Sequence, residues 1–281
     1  MKKALSVAFV LFLAVLTPQV WAQNFEAVAP TGQTLYYQLD NGGAILIGHG
    51  ADISGALTIP DSVTYEGLAY PVTRIGSDCF NWCTGLTSVV IPSTVSIIYD
   101  GAFSSCQSMT SVTIAASVTQ MGYAAFNDCP ALTQVNYGGS LLQWMNIDFG
   151  WYGNPLVYGH HLYIDGQEVT NLVIPEGVTM IKPCVFHGME LGRVTIPSTV
   201  DSICDNAFRD CSGLARVYCS SLADWCRIGF ANEFDNPIYY SRNLYVSSAG
   251  GAASRVMNTL TIPEGVTEIK PYAFFRLSQV L

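Results

Sequence analysis

Charge is what this chain has least of. Lys, Arg, Asp and Glu make up 12% of its 281 residues, about half the share usual in globular proteins. The balance is acidic, with a formal net charge of −9 at pH 7. No run of Lys or Arg follows the first three residues. Binding nucleic acid requires clustered cations to neutralise phosphates, so no nucleic-acid partner is expected. There is no Gly-x-Ser-x-Gly stretch for a serine nucleophile. Histidine is scarce, with four residues.

Long apolar runs are also missing, except at the start. Met1-Lys2-Lys3 is a basic n-region, Ala4 to Leu16 is apolar apart from Ser6, and Val20 and Ala22 have the small-residue spacing of a cleavage site. A secretory signal peptide is predicted over residues 1–22, cut after Ala22. The run is short for a bilayer span and no stop-transfer pattern follows, so no membrane span is expected after signal removal. Gln23, not Cys, follows the cut, which does not indicate a lipoprotein. The expected location is secreted, extracellular or cell-surface.

What the chain does have is repetition. "LTSVVIPSTVSII" from Leu86 returns 23 residues later as "MTSVTIAASVTQM" from Met109. One copy reads Leu86, Val89, Ile91, Val95, Ile98, Ala102, Phe103 and Cys106. The next reads Met109, Val112, Ile114, Val118, Met121, Ala125, Phe126 and Cys129, and a third has Val194, Ile196, Val200, Ile203, Ala207, Phe208 and Cys211. Leu-x-x-Val-x-Ile is a short strand with alternate residues facing inward. The Pro that often follows, as at Pro92 and Pro197, lacks an N–H and ends the ladder. Val-x-x-Ile begins the return path, and Ala-Phe-x-x-Cys suits a single helical or 3₁₀ turn. A lone coil cannot bury its apolar side. Stacked coils bury a continuous spine and pair each strand with the next in one parallel sheet. Thr64 to Val72, with Glu66-Gly67 at its centre, reads as a small hairpin inserted in the first copy.

These stretches, notably "SVVIPSTVSIIYDGAFSSC" and "RVTIPSTVDSICDNAFRDC", resemble the BspA-like bacterial surface leucine-rich repeat family. The resemblance covers about Leu57 to the C-terminus. It implies an α/β solenoid, mainly β in content, with a parallel β-sheet and short helical or 3₁₀ turns. It also implies a protein exported to the bacterial surface or surroundings, and a role in adhesion and protein contacts without enzymatic activity or cofactor.

A longer period overlies the first. "GSLLQWMNIDFG" from Gly139 returns as "SSLADWCRIGFA" from Ser220, so Trp144 matches Trp225 and Phe149 matches Phe230, each 81 residues on. Asn154-Pro155 then matches Asn236-Pro237. These segments read as two insertions, at about 138–168 and 220–256, in a solenoid over 57–281. Residues 23–56, with "LYYQLDNGGAILIG", read as an N-terminal β-hairpin cap. Ser140-x-x-Gln143 and Ser221-x-x-Asp224 read as helix caps, and Asp165-Gly166 and Ala249-Gly250-Gly251 as hairpin turns. Residues kept in both copies, such as the Trp and Asn-Pro pairs, are expected to dock each segment on the solenoid.

Aromatics present in one copy only are candidates for binding. Trp151 and Tyr152 stand opposite Asn232 and Glu233 in the other copy. Exposed Trp and Tyr anchor partners at small entropic cost, and the alternative is that they pack on their own segment. Arg193, Arg216 and Tyr218 fall at outward strand positions of successive coils and form a mildly basic second candidate. The expected partner is an extracellular protein or glycan.

Nine cysteines cannot all pair with one another. Cys83, Cys106, Cys129 and Cys211 share one repeat position and read as a buried thiol ladder. Cys219 and Cys226 replace Tyr137 and Met145 of the first copy together, which suggests a disulfide. His160-His161 alternate in direction on a strand and do not make a metal site, and no metal or catalytic residues are expected. Asp148 and Asp165 would supply the two carboxylates of a carbohydrate-active enzyme, but nothing in the pattern brings them together. A structural alternative is self-association through the C-terminal end, where Phe274, Phe275, Leu277, Val280 and Leu281 would lie near an open edge.

Overall fold

The computed structural model describes residues 23–51, 53–247, 253–255 and 260–277. The predicted signal segment, the Ala249-Gly250-Gly251 turn, Val280 and Leu281 lie outside the described residues.

Most coils give one strand to each of two walls, and residues 260–277 carry none. On the first wall, Ser54–Thr58, Gly85–Ile91, Ser111–Ile114, Gln134–Tyr137 and Leu162–Ile164 pair in parallel. Their register sets Val89 against Val112 and Ile91 against Ile114, so identical inward positions meet and are buried. The return wall is built from two-residue strands, Ile97–Ile98, Gln120–Met121 and Asp148–Phe149. The predicted hairpin is present: Ser62–Tyr65 runs antiparallel to Leu68–Ile75, turning at Glu66 (φ 50°) and Gly67 (φ 82°). Positive φ at both central residues matches the right-handed twist of the strands.

The Ala-Phe-x-x-Cys corners differ from the expected single helical turn. They are hydrogen-bonded turns opened and closed by left-handed residues: Asp78 and Trp82, Gly101 and Ser105, Ala124 and Asp128, Asn206 and Asp210, with φ between 52° and 62°. Outside glycine this backbone costs about 1–2 kcal/mol per residue. The gain is that alternate N–H groups point along the solenoid axis. Phe80 N donates to Ala102 O at 2.7 Å, and Phe103 N to Ala125 O at 2.8 Å. The corner thus continues the coil-to-coil ladder, where a 3₁₀ turn would use those donors internally. Behind it the rings stack, Phe80 on Phe103 and Phe103 on Phe126, each at 5.1 Å. The buried thiols of Cys106 and Cys129 donate to the Phe80 and Phe103 carbonyls, both at 3.2 Å.

The N-terminal cap has one strand more than the expected hairpin. Asn24–Val28, Thr34–Asp40 and Gly43–His49 form an antiparallel meander, and the last pairs in parallel with Leu68–Ile75.

The first wall is not one sheet. Gln167–Glu168 folds back antiparallel on Leu162–Ile164, through Asp165 (φ 50°) and Gly166 (φ 71°). It therefore occupies the hydrogen-bonding edge that the next coil would use. A second parallel sheet starts at Asn171–Val173 and runs through Arg193–Ile196, Arg216–Cys219 and Leu244–Ser247, where Ala253–Arg255 closes it in the same antiparallel way. The return wall breaks at the same boundary and resumes at Met180–Ile181.

Candidate binding surfaces

The two long-period segments each supply strands to the solenoid. Ser140 caps the helix Leu141–Met145 in a reciprocal capping box with Gln143, and Ser221 caps Leu222–Arg227 through Asp224 N. Both helices aim a buried Trp at the following corner. Trp144 Nε1 donates to Val185 O at 3.0 Å, where Asn154 Nδ2 also donates at 3.0 Å. Trp225 Nε1 and Asn236 Nδ2 meet on Ala273 O in the same way, at 2.7 and 3.2 Å. In ordinary coils the equivalent carbonyl takes the N–H of the preceding Phe. The indole and amide thus splice the ladder where the backbone of the longer coil cannot reach. Asn154 Oδ1 also accepts from Leu156 N at 2.9 Å, and Asn236 Oδ1 from Ile238 N at 2.8 Å, starting the short helices that follow.

Trp151 and Tyr152 sit on this scaffold without being part of the splice. The Trp151 carbonyl serves the corner by accepting from Ala124 N at 2.8 Å. Its side chain is 38% exposed and meets Tyr152 edge-on at 5.3 Å. Three residues complete the cluster: His187, Arg209 and Phe234. The Arg209 guanidinium lies 5.6 Å from the Trp151 ring and 5.9 Å from that of Phe234, which is exposed to the same extent as Trp151. Arg209 also donates to Asn206 Oδ1 at 3.2 Å and lies 3.6 Å from Asp210. His187 is buried beneath, 6.4 and 6.1 Å from the two rings, with Nε2 at 3.3 Å from Asp210 Oδ2 and Nδ1 without a partner among the described residues. Burial pushes its pKa down, against the pull of Asp210. His187 and Arg209 occupy the corner position held by Ser104 and Asn127 in earlier coils. That change from small to large was visible in the aligned repeats, but its meeting with Trp151 was not.

In the second copy a carboxylate does what a backbone carbonyl does in the first. Asp235, fully buried, accepts from Asn206 N at 2.6 Å and from Asn232 N at 2.9 Å. Burial raises its pKa, and the two N–H groups oppose that rise.

Arg193 and Arg216 are brought side by side, in register on adjacent strands, and Tyr218 pairs with Thr195 and Tyr245 one row along. Tyr218 stacks on Tyr245 at 5.0 Å. Cys219 and Cys226, expected as a bridge, are both free and buried. Cys219 instead directs its thiol at Tyr245 O, 3.6 Å away, because its strand position faces the core. His160 and His161 diverge, His160 Nδ1 onto Gly188 O at 2.7 Å and His161 Nδ1 onto Glu168 at 2.6 Å. Asp148 pairs with Lys182 on the return wall at 2.6 Å, while Asp165 turns the first-wall hairpin, so the two carboxylates are on different walls. Among the described residues no group of three His, Cys, Asp or Glu is placed to hold a metal ion.

The BspA type leucine rich repeat region matches residues 67–149 and 159–280, in six copies. The chain belongs to this BspA-type leucine-rich repeat family. Among solved structures it is similar to a leucine-rich repeat protein from Bacteroides ovatus, with 26% identity, a TM-score of 0.47 and coverage of 66% of this chain and 45% of that one. A leucine rich cell surface protein from Faecalibacterium prausnitzii shares 23% identity at a TM-score of 0.46, over 89% of this chain and 67% of that one. The T. pallidum leucine rich repeat protein shares 20%, at 0.44, over 72% and 80%. The chain thus spans under half of the Bacteroides ovatus protein. No curated protein sequence matches it. Among the described residues of this family member, no helix is long and apolar enough to cross a membrane.

Proposed function

We propose that this chain is a secreted or cell-surface binding protein that captures an extracellular protein or glycan on the corner edge of its solenoid, without catalysis or cofactor. One observation carries the reading: Arg209 lies against both Trp151 and Phe234, joining exposed rings from two separate coils into one platform. Rings held this way bury much area on a partner at little entropic cost. The predicted signal segment and the cell-surface description of the Faecalibacterium prausnitzii protein support the location.

The test is binding of the purified chain to immobilised extracellular-matrix proteins, mucins and glycans at physiological salt, beside Trp151→Ala/Tyr152→Ala. A saturable partner lost in the double variant supports the platform. A partner held equally by both proteins moves the site elsewhere.

A second reading, stacking of chains through the last described coil, rests on Ile269. The same spine position is buried at Ile98, Ile181 and Ile203, whereas Ile269 is 45% exposed. Concentration-dependent sedimentation that Ile269→Lys abolishes would favour it.

A further inference from the structure

On the first wall, Arg193 and Arg216 face each other directly across two hydrogen-bonded parallel strands, about 4.8 Å apart. Both are exposed, and neither has an ion pair among the described residues. Like charges directly opposite on neighbouring strands destabilise a sheet. The repeat does not demand them, since the matching position is Ser88, Ser111 and Gln134 on the strands of the first sheet and Asn171 on the strand beside Arg193. Two unneutralised guanidinium groups in one row of an acidic chain make a local site for an anion. Arg suits a carboxylate or sulfate better than Lys does, because its planar fork donates two parallel bonds.

The neighbouring row gives the rest of the ligand. Two residues along, about 6.6 Å away by strand rise, Thr195, Tyr218 and Tyr245 lie side by side, and the two tyrosine rings stack at 5.0 Å and 24°. We propose that this face binds an acidic glycan, with a sulfate or carboxylate held between Arg193 and Arg216 and the adjoining sugar resting on Tyr218 and Tyr245. A folded acidic protein would set its whole surface field against a chain of net charge −9. A linear glycan brings its acidic groups on a narrow backbone that touches only these rows. This surface is separate from the Trp151 platform, and the inference does not depend on it.

The experiment measures binding of the full purified chain to immobilised heparin, chondroitin sulfate, hyaluronan, neutral dextran and poly-glutamate, at 50 and 150 mM salt. The parent is compared with Arg193→Gln/Arg216→Gln and with Tyr218→Leu. The expected result is retention on at least one acidic glycan that weakens with salt, falls at least tenfold in the double Arg variant and falls severalfold in Tyr218→Leu. Melting of the double Arg variant should equal or exceed that of the parent, since the repulsion is relieved at solvent-facing positions. Retention unchanged in the double variant overturns the proposal. So does binding to poly-glutamate alone, which would point to an acidic polypeptide, or binding to none of the polymers.

Discussion

The thiol of Cys83 lies 3.1 Å from Nε2 of His49, in the last strand of the N-terminal cap. The carbonyl of Gly50, 2.6 Å from Nδ1, can only accept, so the imidazole carries its proton there and presents Nε2 to the thiol. The same ring stacks on Phe80 at 5.6 Å and 5°. Further along, Cys106, Cys129 and Cys211 donate to the carbonyls of Phe80, Phe103 and Phe186, each at 3.2 Å. Among the described residues no corner precedes that of Cys83. His49 replaces both the missing ring and the missing carbonyl, and so finishes the stack and the thiol ladder with one side chain.

His49→Ala should therefore cost about 2–3 kcal/mol in chemical denaturation, from lost stacking and an orphaned buried donor. His49→Phe should recover part of this, because it restores the ring but not the acceptor. A loss below about 0.5 kcal/mol for the alanine variant, the range of ordinary surface changes, would show that the cap does not depend on this residue.

The ladder splice predicts an order of effects. Trp144→Phe keeps the ring and leaves Asn154 on the Val185 carbonyl, so it should cost about 1–2 kcal/mol. Asn154→Ala removes partners from Cys184 O, Val185 O and Leu156 N together, and should cost about 2–4 kcal/mol. Trp225→Phe and Asn236→Ala should rank the same way. Urea titrations giving the reverse order in either copy would refute the splice.

Asp235 makes stability depend on pH in a definite sense. Burial raises its folded pKa above the ordinary carboxylate range, so the folded chain holds this proton more tightly than the unfolded one. The contribution costs nothing below the unfolded pKa and grows as pH rises through the folded pKa. The stability of the parent relative to Asp235→Asn should fall as pH increases across that window. Parallel pH profiles for the two proteins would contradict it.

Thiol chemistry tests the cysteine assignment. Alkylation of the denatured, unreduced chain should label all nine cysteines, which are free in the structure. In the native protein Cys204, the one cysteine that is not buried, should react first. Burial pushes Cys83 up to about 11 and Cys219 to about 12, which leaves little thiolate at pH 8. Seven labels, rising to nine on reduction, would restore the Cys219–Cys226 bridge.

The sequence by itself determined the solenoid. Leu-x-x-Val-x-Ile fixes which residues face inward, Pro stops the strand, and Glu66-Gly67 and Asp165-Gly166 turn their hairpins, all through interactions within a few residues. Repetition at a constant step then aligns like with like. The docking role of Trp144 and Trp225 was legible too, because two copies in one chain separate what the scaffold keeps from what it lets vary. Tertiary structure decided the rest. Only in three dimensions does the Gln167–Glu168 hairpin take up an edge and split the sheet, because a strand has two edges and the alternation of side chains records neither. Only stacking brings Arg209 between Trp151 and Phe234, sets His49 on Phe80, and leaves Cys219 and Cys226 unbridged. Each of these depends on the rise from coil to coil and on the direction of a side chain across the stack, and both are set by packing between segments far apart in the chain.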